Sequence, residues 1–89
     1  MIKVLIADDE KKICRLIKML CDWEKLGMEI IGYVHNGPEA IKMICEEKPD
    51  ILIVDIRMPG CDGIEVIRKA REMNLPMEVI IISGYADFA

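Results

Sequence analysis

The sequence predicts an α/β fold built on a parallel sheet, and three observations predict it. Ile2-Lys3-Val4-Leu5-Ile6-Ala7, Ile51-Leu52-Ile53-Val54 and Val79-Ile80-Ile81-Ile82 are short, branched apolar runs, each ending at polar groups. Runs of this kind suit strands buried on both faces. Between them apolar residues recur at helical spacing, and right-handed crossovers then place helices on both faces of the sheet.

In chain order, the first run is a strand that stops at Asp8-Asp9. A helix is expected from about Glu10 to Asp22, with Ile13, Leu16, Ile17, Leu20 and Cys21 on one face. Glu29-Ile30-Ile31-Gly32-Tyr33-Val34 is more mixed and reads as an edge strand. The next helix carries Ala40, Ile41, Ile44 and Cys45, with Asn36 as cap, Glu39 three residues later, and Pro38 in the first turn. The strand Ile51–Val54 stops at Asp55, and Pro59-Gly60 and Asp62-Gly63 mark turns after it. Ile64, Ile67, Ala70 and Met73 line a third helix, and the last strand stops at Ser83-Gly84.

With 89 residues there is room for one domain, and with 53% hydrophobic residues there is material for a core. The net charge of −4 argues against nucleic-acid binding by this chain, because a phosphate backbone needs a basic face. Cys14, Cys21, Cys45 and Cys61 form no C-x-x-C pair and His35 is the single histidine, a pattern that disfavours zinc. They read as small apolar residues of a reducing compartment, three of them on helices. The apolar stretch at the N-terminus is shorter than a signal peptide requires and far from the ~20 residues of a membrane helix, so the expectation is a cytoplasmic protein with no membrane contact.

The chemistry lies at the strand ends. In a parallel sheet all C-terminal ends share one edge, where open α/β sheets bind ligands. Asp8, Asp9, Asp55 and the Ser83 hydroxyl should therefore meet in one pocket. Crowded carboxylates raise each other's pKa unless a cation intervenes. Hard oxygen donors without sulfur or nitrogen favour Mg²⁺. The competing reading of any one aspartate is a turn or an N-cap, Asp9 before the first helix above all. The loop after Asp55 is able to bend a backbone carbonyl back toward the strand end.

Asp8-Asp9-Glu10, Asp55, Met58-Pro59-x-x-Asp62-Gly63 and Ser83-Gly84-Tyr85 together resemble the receiver domain of two-component response regulators. Trp23-Glu24-Lys25-Leu26-Gly27 with Ile30-Ile31-Gly32 also resembles receivers that precede arabinose-regulator-type DNA-binding domains. The resemblance implies a flavodoxin-like (CheY-like) three-layer α/β/α fold with strand order 2-1-3-4-5. It implies that Asp55 accepts a phosphoryl group from a histidine kinase and that a transcriptional output domain is switched in response. Asp9 and Asp55 would bind Mg²⁺ with the backbone carbonyl of Arg57, and Asp8 through a water. Ser83 would hydrogen-bond the phosphoryl group and Tyr85 would be the switching aromatic. Such a module is a phosphoacceptor rather than an enzyme, with at most weak self-phosphorylation and self-dephosphorylation.

The family also has a fourth helix, a fifth strand ending in lysine, and a fifth helix. The sequence given is therefore read as residues 1–89 of a receiver domain incomplete at its C-terminus. Lys3 starts its strand and is expected at the opposite end of the sheet from the aspartates. A bare fourth strand would be an apolar edge able to pair with a second copy, so a homodimer or larger assembly is expected.

Three other readings compete. An aspartyl-phosphate phosphotransferase usually has a second catalytic acid where Arg57 stands. A flavodoxin-type cofactor binder would have a Ser-, Thr- and Gly-rich loop in place of Asp8-Asp9-Glu10. An inactive, self-associating half-domain is the third.

Overall fold

A computed structural model describes residues 1–58, 60 and 62–82. Four strands, β1 (Ile2–Ala7), β2 (Met28–Val34), β3 (Ile51–Asp55) and β4 (Glu78–Ile82), alternate with three helices, α1 (Lys11–Met19), α2 (Gly37–Glu47) and α3 (Gly63–Glu72). The strands form one parallel sheet in the order β2-β1-β3-β4. These are the first four places of the flavodoxin-like order expected from the sequence.

The sheet divides the core in two. On one face Leu5, Ala7, Leu52 and Val54 pack against Ala40 and Ile44 of α2 and Val66 and Ala70 of α3. On the other, Val4, Ile6 and Ile53 pack against Cys14 and Ile17 of α1. Adjacent residues of β1 and β3 thus enter opposite cores, which is why both strands are apolar without alternation. Leu5, Ile6, Leu52 and Ile44 are fully buried, each worth roughly 1.5–3 kcal/mol relative to exposure.

Several expectations need correction. The first helix is shorter than Glu10–Asp22, ending at Met19 with Leu20 as C-cap. Leu16 and Leu20 are exposed, because the apolar arc of α1 is wider than the strip that touches the sheet. Among the described cysteines only Cys14 behaves as a small core residue; Cys21, beyond the helix, and Cys45 are exposed. Ile64 of α3 and its C-cap Met73 are exposed while Val66 and Ala70 are buried. As expected for a bare fourth strand, β4 is an edge of the sheet among the described residues, and its Ile80 and Ile81 are 50% and 48% exposed. Met28 joins the second strand, which is an edge as expected.

Local chemistry fixes the helix starts. Asn36 Oδ1 accepts from the Glu39 N–H at 2.9 Å to cap α2, with Pro38 in its first turn. Asp62 Oδ1 does the same from Glu65 N–H at 2.9 Å for α3. No helix among the described residues is long and apolar enough to cross a membrane. Lys3 lies at the far end of β1, where its Nζ donates to the Glu47 carbonyl.

Candidate functional site

Parallel pairing puts the C-terminal ends of β1 and β3 side by side, Ala7 opposite Val54. Asp8 follows the first and Asp55 ends the second, so their side chains reach the same rim. Carboxylate oxygens of Asp8, Asp9 and Asp55 all lie within 4.8 Å of one another. Asp8 is 3% and Asp55 9% exposed, while Asp9 is open to solvent.

Such burial disfavours charge. The Asp8 carboxyl is pushed up to about 6, first by burial and then by the charges of Asp55, Asp9 and Glu10, against a lowering bond from the Glu10 amide. That amide donates to Asp8 Oδ1 at 2.9 Å. Asp55 is also raised, by burial first and by Asp9; the amides of Arg57 and Ile56 and the Arg57 guanidinium pull the other way. Asp55 Oδ1 is buried with no hydrogen-bond partner. Three clustered carboxylates, one with a buried and unpartnered oxygen, are a donor set for a hard metal ion, and these three aspartates are able to hold one.

Asp9 is not a helix cap. The N-cap of α1 is Glu10, which makes no side-chain cap bond. The solvent-facing Asp9 carboxylate is directed to the cluster instead. Arg57 follows two residues after Asp55 and is exposed. Ser83 and Tyr85, expected at the same rim, lie outside the described residues, as do Pro59 and Cys61.

The structure adds residues that the sequence reading missed. Asp62-Gly63 is a cap and first helical residue rather than a turn. Gly63 N–H donates to the Ile56 carbonyl, and a Cβ at Gly63 would stand 2.3 Å from the Asp55 carbonyl oxygen. The start of α3 is thus pressed onto the backbone of the strand end, and only a glycine leaves room. Its φ is not positive, so the signal is spatial and invisible in sequence. Under Asp8, the His35 ring donates from Nδ1 to the Asp8 carbonyl at 2.9 Å, since a carbonyl only accepts. Cys14 Sγ lies 3.8 Å from the same oxygen.

Comparison with known proteins gives the family and agrees with the fold. The chain is 40% identical over 88 residues to the uncharacterized transcriptional regulatory protein YesN of Bacillus subtilis, a match of 99% of this chain and 24% of that protein. It is 37% identical over 82 residues to BvgA, a putative positive transcription regulator of virulence factors in Bordetella pertussis, covering 92% of this chain and 38% of BvgA. The chain therefore spans about a quarter to two fifths of the length of these relatives. The solved REC domain of AraT, a response regulator from Geobacillus stearothermophilus, superimposes with a TM-score of 0.89 at 40% identity, over 97% of this chain and 67% of that one. Residues 4–89 match the response regulator receiver domain, and the chain belongs to that family.

Proposed function

We propose that this chain is the phosphoacceptor module of a two-component response regulator, with Asp55 as the acceptor. The observation that carries this is the gathering of Asp8, Asp9 and Asp55 at the ends of β1 and β3, with one Asp55 oxygen buried and unpartnered. In this reading Asp9, Asp55 and the Arg57 carbonyl hold Mg²⁺, and Asp8 assists through a water. Bound there, the ion supplies charge neutralisation for an incoming phosphoryl group.

The residues of the chain do the rest. Asp55 is positioned as nucleophile by the rigid end of β3 and by α3 pressed against its carbonyl. A carboxylate oxygen attacks the phosphorus of a kinase phosphohistidine. The P–N bond breaks, an acyl phosphate forms, and the released imidazole takes up a proton. Ser83 hydrogen-bonds the new phosphoryl group and Tyr85 changes rotamer in response. The added charge biases a two-state surface that an output domain reads. In the longer relatives, named as transcriptional regulators, that output is transcription; we assign a DNA-binding output domain to the whole protein and none of that activity to this acidic chain. The setting is cytoplasmic. For the 89-residue chain we also propose that a second copy pairs on β4, a reading supported by the half-exposed Ile80 and Ile81 on a strand that is an edge among the described residues.

The test is labelling with a small phosphodonor and Mg²⁺, followed by mass mapping, beside Mg²⁺ titration read by Trp23 fluorescence. Label confined to Asp55 and absent from Asp55→Asn is expected, with Mg²⁺ affinity reduced in Asp55→Asn and reduced further in Asp9→Asn. Label on another aspartate, or Mg²⁺ affinity equal in all three proteins, overturns the assignment.

A further inference from the structure

A cavity opens between α1 and the edge strand β2, next to the backbone of Asp8, which His35 and Cys14 contact. Its volume is about 270 Å³, and Lys11, Cys14, Arg15, Lys18, Tyr33 and His35 line it. Among the described residues no carboxylate lines it. This is a cationic pocket in a chain whose net charge is −4.

The three cations are not explained by the fold. Among the described residues the ion pair is Arg68 with Glu65, so Lys11, Arg15 and Lys18 have no acidic partner there. Lys11 and Lys12 open α1, whose first turn holds no acid, although the helix dipole favours acids at that end. Lys11 and Arg15, four apart, and Arg15 and Lys18, three apart, are like-charged neighbours on one flank, a pattern that destabilises a helix by about 0.2–0.5 kcal/mol per pair. Helix stability therefore disfavours this arrangement, and an anion in the cavity would offset the repulsion by its attraction to each cation. The floor of the cavity is held in place. His35 is fixed by its bond to the Asp8 carbonyl and Cys14 is buried beside it. The Tyr33 ring and the aliphatic stems of the cations supply apolar surface.

We propose that this cavity is a binding site for a small phosphate monoester with a compact apolar body. Lys11, Arg15 and Lys18 hold the phosphate, Arg15 able to engage two of its oxygens at once, and Tyr33 packs on the organic part. The cavity is large enough for a phosphate and a single ring and near the lower limit of small-molecule sites. Binding needs no divalent cation, which separates this site from the acidic cluster and makes the proposal independent of the acceptor role of Asp55.

The probe is phenyl phosphate, titrated into the 89-residue chain in chelator and followed by amide ¹H–¹⁵N spectra. Saturable shifts at Tyr33, His35 and α1 are expected, with half-saturation in the millimolar range, and phenol should cause none. Arg15→Glu should weaken binding about tenfold or more, as loss of a charge-assisted bond implies. Lys12→Glu makes the same charge change on the same helix outside the cavity, and should alter affinity by less than about twofold at physiological salt. Arg15 is exposed, so both variants should keep the spectral dispersion of the parent; Arg15→Gln provides a milder replacement. Absence of saturable shifts, equal losses in Arg15→Glu and Lys12→Glu, or binding of phenol as tight as phenyl phosphate would overturn the proposal.

Discussion

Replacing Asp8 by Asn should stabilise the metal-free chain at neutral pH and leave it nearly unchanged in acid. Asp8 is 3% exposed and its carboxyl is pushed from 3.8 to about 6, chiefly by burial. A difference of about two units, at about 1.4 kcal/mol each, amounts to roughly 3 kcal/mol. The sign follows from proton binding. The folded chain holds this proton more tightly than the unfolded chain, so its contribution is most favourable below about pH 4. It is lost as the pH rises to about 6 and stays lost above that. Asn reproduces the protonated shape, keeps an oxygen for the Glu10 amide, and never ionises. Urea unfolding in chelator at pH 4 and pH 7.5 measures this. The two proteins should differ little at pH 4, and the variant should be more stable by roughly 3 kcal/mol at pH 7.5, a large share of the ~5–15 kcal/mol typical of a domain. Mg²⁺ should narrow the gap at pH 7.5 by stabilising the parent more than the variant, since binding to the native state adds stability. A gap of equal size at both pH values, or one that Mg²⁺ widens, would refute the reasoning.

Gly63→Ala places a Cβ 2.3 Å from the Asp55 carbonyl oxygen, so β3 and α3 must separate. We expect a loss of roughly 1–3 kcal/mol in denaturant midpoints, as for an overpacked core, together with slower phosphodonor labelling of Asp55; unchanged values in both assays would contradict the contact. Asn36→Ala removes the cap on α2 and should cost about 1 kcal/mol in thermal unfolding, with labelling intact. Ile81→Lys, on a half-exposed edge position, should lower the mass measured by light scattering after size exclusion if copies pair on β4. A parent that is monomeric at every concentration would remove that reading.

Much of this molecule was legible from one-dimensional pattern. The apolar runs ending at Asp8, Asp55 and the residues before Ser83 announce parallel strands, because a strand covered on both faces needs apolar residues at consecutive positions. Parallel strands share one functional edge, so Asp8, Asp9 and Asp55 were identifiable as neighbours although 46 or more residues of sequence separate the first two from the third. Caps at Asn36 were legible too, since that bond spans three residues. What the pattern left open depends on distances between elements. Helical spacing put Ile17, Leu16 and Leu20 on one apolar face, but only packing reveals that the sheet contacts Ile17 together with Cys14 and leaves Leu16 and Leu20 exposed. The purpose of Gly63 is an interatomic distance to the backbone of Asp55, the bond of His35 to Asp8 spans 27 residues, and the convergence of three α1 cations with Tyr33 exists only once β2 lies beside that helix. Periodicity encodes which way a side chain points within its own element; which atoms it meets is decided by the crossing of elements far apart in the chain.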